Sequence, residues 1–262
     1  MSMKILLLAA ATALITACAS SPTGRSQLIL ISDSEINRMG QQSYRQMQAE
    51  MPMSRNRAMV NRINCITEAI IVHLQEPHAP QTWEVTVFAD DSINAFALPG
   101  GFIGVFEGMT RVAEDQHQLA AVIGHEIAHV TARHGAERVS RHQATGFAVN
   151  VLGTASGTQQ TAALLGLGAQ VGLLLPFDRA QETEADLLGL DYMARAGFNP
   201  AASVKLWQNM AEASGRGGPP SFLSTHPSGT ERIRQLNNRL PQAMQLYREA
   251  QSQGMNPTCD IS

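Results

Sequence analysis

Apolar residues between positions 34 and 74 recur at three- and four-residue intervals, the period of an amphipathic helix. The segment from Ser32 to Glu35 offers a capping residue followed by acid in the first turn, so one helix is expected from about 34 to 50. A second helix is expected from about Arg55 to Leu74. Its buried stripe consists of Met59, Ile63, Ile66, Ile70 and Leu74.

The period changes to two between residues 83 and 89, where Trp83, Val85 and Val87 alternate with other side chains as in a half-buried strand. A turn follows at 90–92. Residues 94–97 and 102–106 then indicate two strands joined by Pro99-Gly100-Gly101. These segments predict a small antiparallel sheet.

Helical patterns return after residue 109. One long helix, capped by Asp115, is expected to run through about Arg138, and another from 179 to 196 ends at Gly197. Further helices are predicted to begin at Asn199-Pro200 and at Thr230. The chain is therefore expected to be a mainly helical α+β protein.

The first seventeen residues are predicted to be a signal peptide, since an apolar run from Ile5 to Ile15 is too short to span a membrane. The run ends at Ile15-Thr16-Ala17-Cys18, which resembles a bacterial lipobox and predicts lipidation of Cys18. The alternative is an ordinary secretory signal with an incidental cysteine. By resemblance to the lipoprotein sorting rule, Ala19 in place of Asp implies the outer membrane. The predicted organisation is a signal peptide at 1–17, a lipidated tether at 18–31 and one domain at 32–262.

Composition narrows the class of protein. Of 262 residues, 44% are apolar and 16% charged, which is typical of a globular chain rather than a disordered one. A net charge of −3 without clustered Lys or Arg argues against a nucleic-acid partner. If Cys18 carries lipid, Cys65 and Cys259 form an even pair in an oxidising compartment. A disulfide is expected between them, and two free thiols are the alternative.

The candidate chemistry lies in His125-Glu126-Ile127-Ala128-His129, within the long predicted helix. Residues four apart share a helix face, so both imidazoles can bind one metal ion while Glu126 takes the proton of a bound water. Zinc suits such donors and keeps an open position in catalytic sites. The alternative is a pair of histidines on a solvated helix.

A third ligand is expected from Glu182-Thr183-Glu184-Ala185-Asp186, on a second helix. Glu182 and Asp186 are four apart and share a face, whereas Glu184 points elsewhere. One carboxylate can bind the metal, and the other can accept the second N–H of a ligand histidine. Spacing alone leaves the choice open, and a solvated acidic face is the alternative.

Together these two motifs resemble the gluzincin peptidases that include the CAAX prenyl endopeptidase and the HtpX protease, in particular the periplasmic lipoprotein branch of LoiP and BepA. The resemblance runs from about Ser34 to Arg239. It implies a zincin-type domain with a central zinc-binding helix, one Zn²⁺ per chain, Glu182 as the third ligand and Asp186 as its support.

Two other segments resemble the same family. The hairpin beside the active-site helix of these enzymes is matched by Asn94, Ala95, Phe96 and Ala97, which implies that substrate binds there. The His-Pro loop of the family is matched at 224–228, with Arg232 following. By resemblance, His226 either blocks the metal in a latent state or donates to the oxyanion, and Arg232 holds the loop or the transition-state charge. A loop histidine without a role is the alternative for His226. The remaining histidines are expected on the surface or on helix faces: His73, His78, His117, His134 and His142.

The resemblance implies a zinc endopeptidase of the bacterial cell envelope, lipid-anchored to the outer membrane from the periplasm, that degrades misfolded or unfolded proteins. Polypeptide substrates, the outer membrane and envelope assembly machinery are the expected partners. The rival hypothesis is an assembly factor or chaperone with a latent, histidine-blocked zinc site, and a non-metal binding lipoprotein is a third. The Gly- and Ala-rich segment 146–175 is predicted to form a hairpin near the active site.

Overall fold

The computed structural model describes residues 18–152, 176–217, 221–227 and 230–260. The predicted signal peptide and most of the predicted 146–175 hairpin lie outside these residues. The strands are β1 (Cys18–Ser20), β2 (Ser26–Leu28), β3 (Glu84–Phe88), β4 (Ala95–Leu98) and β5 (Phe102–Phe106). The α-helices are α1 (Asp33–Glu50), α2 (Arg57–Ile71), α3 (Gln116–Thr131), α4 (His134–Leu152), α5 (Arg179–Arg195), α6 (Ala201–Gly217), α7 (Ser221–Thr225) and α8 (Thr230–Ser252).

The predicted α+β class, mainly helical with small sheets, is confirmed, but the three-stranded sheet is mixed rather than antiparallel. Its order is β3-β5-β4. β4 and β5 form the predicted antiparallel hairpin, and Gly100 and Gly101 adopt φ values of 94° and 88° in its turn, which glycine does without strain. β3 pairs with β5 in parallel. β4 covers one edge of β5, and β3 pairs with the other edge. Since β5 and β3 run in the same direction, this pair is parallel.

Helix α3 lies in the centre of the core, as predicted for the zinc-binding helix. Every residue from 118 to 131 is buried, so this helix is covered on all sides rather than on one stripe. Its cover comes from apolar residues of α2, the sheet, α5 and α6. Among them are Ile63, Ile66, Val105, Leu190, Met193 and Trp207.

Helices α3 and α5 cross where neither has a side chain. A Cβ atom on Gly124 would lie 2.8 Å from the backbone oxygen of Gly189, and a Cβ on Gly189 would lie 2.7 Å from the backbone nitrogen of His125. Such distances are far inside van der Waals contact, so both positions require glycine. The close crossing lets α5 bring short carboxylate side chains up to the histidines of α3.

The long helix predicted to run through Arg138 is in fact two helices. It ends at Thr131, and Arg133 takes a φ of 57° before α4 begins at His134. The break contains no proline, and its positive-φ position is an arginine, while the nearby Gly135 lies inside α4. A positive φ costs a non-glycine residue about 1–2 kcal/mol. A salt bridge between Arg133 and Asp33 holds the side chain of the strained residue.

The segment predicted as a tether is partly folded onto the domain. Within residues 18–31, β1 and β2 form an antiparallel hairpin. Arg25 lies 2.7 Å from Glu137 and 2.8 Å from Glu184, and Gln27 donates from Nε2 to the backbone oxygen of Ala132 at 2.7 Å. Charged and polar contacts therefore hold part of the predicted tether against the domain, although its apolar pattern gives no sign of this docking.

A disulfide joins Cys65 of α2 to Cys259, near the end of the described chain, with Cα atoms 5.6 Å apart. This is the pairing expected from the cysteine count. Among the described residues, no helix combines the length and the apolar character of a membrane span.

Candidate metal centre

Four buried side chains converge on one point: His125 and His129 of α3, Glu182 of α5 and His226, which follows α7. The Nε2 atoms of the two α3 histidines are 3.0 Å apart. Glu182 Oε1 lies 3.3 Å from His129 Nε2 and 3.0 Å from His226 Nδ1. The structure thus brings together the three predicted ligands, with His226 beside them.

The donor set fits a zinc ion. Ligand atoms about 2.1 Å from a tetrahedral zinc lie about 3.4 Å from one another, within a few tenths of an ångström of the separations given above. Burial lowers the pKa of His129 well below its ordinary value, so its imidazole is neutral at pH 7. Burial works against ionisation of Glu182, yet the charges of His226 and Arg232 hold its pKa well below the usual range. Neutral imidazole and ionised carboxylate are the forms that bind metals.

Glu126, the predicted base, points into the same centre. Its Oε1 lies 3.3 Å from His226 Nε2 without a hydrogen bond, and the backbone of Ala97 lies close enough to favour the ionised carboxylate. Burial raises the pKa of Glu126. A carboxylate with a raised pKa is better suited to accept a proton from water than an exposed one.

Arg232 and Asp186 fix the ligands from one side. Asp186 Oδ1 lies 3.1 Å from His125 Nδ1. Arg232 donates to both oxygens of Asp186, at 2.7 and 2.6 Å, and its Nη1 lies 2.5 Å from Glu182 Oε2. The planar guanidinium therefore holds both carboxylates in fixed directions. The Cζ atom of Arg232 lies 3.8 Å from the centroid of the Trp207 ring, so the guanidinium also packs on this ring.

A second set of contacts holds His129, and the sequence did not reveal it. His134 Nδ1 lies 2.9 Å from His129 Nδ1, and His134 Nε2 lies 3.2 Å from Glu184 Oε2. Glu184 also bonds Thr23 and Arg25 of the N-terminal hairpin. His134 was expected on the surface or on a helix face; it is the first residue of α4, and its side chain is fully buried. In an unbroken helix it would point about 140° away from His129, and the break at Arg133 turns it back.

The predicted substrate residues lie on β4 or directly before it. Asn94 accepts from the backbone N–H of Ala95, and the Phe96 ring packs among Phe88 and Phe106, away from the metal centre. Of the four, Ala97 is the residue that contacts Glu126. β4 is the outer strand of the sheet order, with β5 on one side.

Two further aromatic contacts shape the site. The Phe177 ring stacks on His129 with centroids 3.7 Å apart, and the Phe222 ring stacks on His226 at 4.3 Å. Arg138 of α4 also lies over the Phe177 ring, with Cζ 4.0 Å from the ring centroid. Sequence reasoning missed Phe177, Arg138 and Trp207. They come from separate helices and loops, so no local pattern links them to the ligands.

A buried cluster of two histidines and a glutamate, on a central helix and its closest neighbour, defines a metallopeptidase of the zincin type. The sequence pattern of peptidase family M48 matches residues 58–240. The chain belongs to this family.

Several family members are similar over much of this chain. The mitochondrial metalloendopeptidase OMA1 of Schizosaccharomyces pombe is 43% identical over 168 residues, covering 64% of this chain and 49% of its own. The beta-barrel assembly-enhancing protease of Yersinia pestis is 32% identical over 225 residues, with coverages of 82% and 46%. That of Escherichia coli is 30% identical over 214 residues, with coverages of 78% and 43%.

The chain spans about half the length of these curated relatives. Family membership confirms the predicted class of peptidase. Both mitochondrial and beta-barrel assembly-enhancing proteases match, and a mitochondrial one does so at higher identity. The periplasmic lipoprotein branch therefore stays a prediction.

Proposed function

We propose that this protein is a zinc-dependent endopeptidase of the bacterial cell envelope. The observation that carries the proposal is the position of Glu126. Its carboxylate lies beside the predicted metal ligands His125, His129 and Glu182 and close to the backbone of Ala97 in the outer strand β4. Base, metal ligands and a strand edge are thus found within one buried centre.

The proposed roles follow from the geometry. A zinc ion held by His125, His129 and Glu182 would polarise a peptide carbonyl and lower the pKa of water towards about 7. Glu126 takes the proton of the attacking water and passes it to the leaving amine. His226 donates to the oxyanion. Arg232 and Asp186 keep Glu182 and His125 in position.

The strand β4 supports an extended polypeptide as substrate. In the β4–β5 hairpin, Asn94 and Leu98 accept hydrogen bonds from the side of β5, at Phe106 and Gly101. Antiparallel pairing alternates, so the backbone groups of Ala95 and Ala97 face away from β5. An added strand could pair there, and segments without stable structure are the ones free to do so. Misfolded or unfolded envelope proteins are therefore the proposed substrates.

The proposed location is the periplasmic face of the outer membrane, with lipid on Cys18 as the anchor. Support comes from the lipobox-like segment before Cys18 and from the beta-barrel assembly-enhancing proteases among the relatives. Envelope assembly machinery is proposed as a partner on the same ground.

Replacing Glu126 by Gln tests the proposal. The variant should bind about one equivalent of zinc, as the wild type does, while hydrolysis of an unfolded protein such as reduced casein falls about 10²- to 10⁴-fold. Glu68→Gln, a change at an exposed position of α2, serves as the control and should leave hydrolysis unchanged. Unchanged hydrolysis by Glu126→Gln, or wild-type protein that holds no stoichiometric metal, would contradict the proposal.

His226 favours a second candidate, a latent assembly factor or chaperone. Its Nδ1 lies 3.1 Å from His125 Nε2 and 3.0 Å from Glu182 Oε1, where a fourth ligand would be. Four protein ligands are typical of closed, structural zinc sites. Under this hypothesis His226→Ala raises hydrolysis, whereas an oxyanion donor loses about 10²- to 10³-fold on removal. Full envelope function of the Glu126→Gln variant in cells would also favour the second candidate.

A further inference from the structure

A cavity of about 280 Å³ adjoins the metal centre and has no role in the chemistry described above. One wall is His129, with Phe177 stacked on it. Another is formed by Ala97 and Pro99, at the end of β4. Whatever enters this cavity is therefore next to both a metal ligand and the strand proposed to hold the substrate backbone.

Arg138 also lines the cavity. Only 6% of this residue is exposed, yet its Nε and Nη2 atoms are buried without any hydrogen-bond partner. Its Cζ lies 4.0 Å from the centroid of the Phe177 ring, and the carboxylates of Glu182 and Glu126 act on its charge at longer range. Burial lowers the pKa of Arg138 to about 10, so it is still protonated at neutral pH.

Unpaired buried charge is expensive, and proteins rarely keep it without a use. The other arginines in this region show the usual solution. Arg232 is paired with Asp186 and Glu182, and Arg25 with Glu137 and Glu184. Arg133, which lines the same cavity, is paired with Asp33. Arg133 keeps one buried nitrogen, Nε, without a hydrogen-bond partner, whereas Arg138 keeps two and forms no ion pair with any of the described residues.

The ligand chemistry follows from the donor. A guanidinium presents parallel N–H groups that match the two oxygens of a carboxylate, and its attraction is strongest where water is excluded. Asp33, the acidic residue in the cavity wall, is already matched by Arg133, with His78 3.9 Å away. The cavity therefore offers a net positive charge and an apolar, aromatic floor to its occupant.

We propose that Arg138 is a specificity-determining residue that binds a carboxylate of the substrate in this cavity, next to the cleaved bond. The inference rests on the proposed peptidase function. The carboxylate can belong to an Asp or Glu side chain, which gives an endopeptidase with an acidic subsite. It can also be the chain terminus, which gives release of short C-terminal pieces.

Cleavage profiles test the proposal. Zinc-loaded wild type, Arg138→Gln, Arg138→Lys and Arg133→Gln digest the same denatured protein, and mass spectrometry reads the cleaved bonds. The wild type should show Asp or Glu enriched at one position next to the cut, or cuts clustered near C-termini. For matched peptides with Glu or Gln at that position, kcat/KM should differ about 10- to 100-fold, and Arg138→Gln should abolish the difference. Arg138→Lys should keep part of it. Arg133→Gln should reduce it less than Arg138→Gln does, because Arg133 is already paired with Asp33.

A binding measurement separates this inference from the proposed function. Glu126→Gln protein is titrated with four forms of one peptide. The peptide has Glu or Gln at the enriched position, and each version has either a free or an amidated C-terminus. If no enrichment is found, the Glu or Gln is placed at the fourth residue from the C-terminus. Tighter binding of Glu peptides identifies the side chain as the source, and tighter binding of free termini identifies the chain end.

Equal binding of all four peptides, or an acidic preference that survives in Arg138→Gln, would overturn the inference even if the wild type is an active peptidase. A wild type without hydrolysis would overturn the proposed function, and a carboxylate preference lost with Arg138 would still support this site. Circular dichroism of Arg138→Gln and Arg138→Lys confirms that both variants are folded.

Discussion

Arg232 and Arg138 are both buried beside the same metal centre, but their surroundings differ completely. Arg232 donates to Asp186 and Glu182 and packs on Trp207, so its charge and its donors are all used within the protein. Arg138 packs on Phe177 in the same way, but two of its buried nitrogens have no acceptor. The aromatic contact is common to both sites, and the paired carboxylates are not.

This difference in pairing indicates different roles for the Arg232 side and the Arg138 side of the metal centre. A guanidinium that is fully paired at rest holds its partners and has nothing left to bind a ligand. One that is unpaired at rest contributes little to folding and is ready for an acceptor from outside. We therefore expect variants on the Arg232 side to change metal binding and stability, and variants on the Arg138 side to change substrate choice.

The largest effect is expected from Arg232→Gln. It leaves two buried carboxylates without their cation, which costs about 3–5 kcal/mol in the free energy of unfolding. Zinc affinity and hydrolysis should each fall about 10- to 100-fold, because Glu182 and His125 lose their fixed directions. Urea unfolding, competition with a chelator and casein hydrolysis measure the three quantities. A variant with normal stability and zinc affinity would remove the distinction between the two arginines.

Glu137 extends the comparison to a third arginine, Arg25, which is paired as Arg232 is. Burial works against ionisation of Glu137, but hydrogen bonds from Arg25 and Gln181 lower its pKa. Since the folded pKa is below the unfolded one, the stabilisation is present at neutral pH. It is lost as the pH falls from about 4.5 through the lowered value.

Replacing Glu137 by Gln should therefore cost about 1.5–3 kcal/mol at pH 7 and much less in acid. Urea unfolding of wild type and variant at pH 7, 4 and 3 gives the difference at each pH. A difference that grows towards acid has the wrong sign and would show that the Arg25 pair does not stabilise the fold.

Gly189→Ala sharpens the comparison without touching either arginine. The new methyl group would lie 2.7 Å from the backbone nitrogen of His125, so α5 must move away from α3 with Glu182 and Asp186. Overpacking of this kind costs about 1–3 kcal/mol. Zinc affinity should fall, while the carboxylate preference assigned to Arg138 should be retained. Thr183→Ala, in the same helix, is the control.

The smallest effect on stability is expected from Arg138→Gln, at about 1 kcal/mol or less in either direction. No hydrogen bond within the described chain is lost, and a buried unpaired charge is removed. Thermal and urea unfolding measure it. Destabilisation comparable to that of Arg232→Gln would mean that Arg138 is a structural residue after all.

Most of the site could be predicted because its main parts are local. His125, Glu126 and His129 follow from helical spacing, and Glu182 with Asp186 follows from the same rule on a second helix. Resemblance, not spacing, chose Glu182 over Asp186. The hairpin turn at Gly100-Gly101 was also readable, since glycine there has a specific conformational reason.

The parts that were missed depend on distant contacts. His134 reaches His129 only because the helix breaks at Arg133, where an arginine rather than a glycine takes the positive φ. Glu184 turns to the N-terminal hairpin, whose docking rests on ion pairs. Whether Arg138 has a hydrogen-bond partner depends on contacts formed in the folded protein, so it could not be predicted from the residues around it in the sequence.

The disulfide determines what would happen to the enzyme after it cleaves its own chain. All four clustered donors, and every loop between them, lie between Cys65 and Cys259 in the chain. A self-inflicted cut anywhere in that stretch would leave both pieces covalently attached. Molecules cut once in this stretch would therefore run as one band on a non-reducing gel. After reduction of the disulfide they would run as two bands.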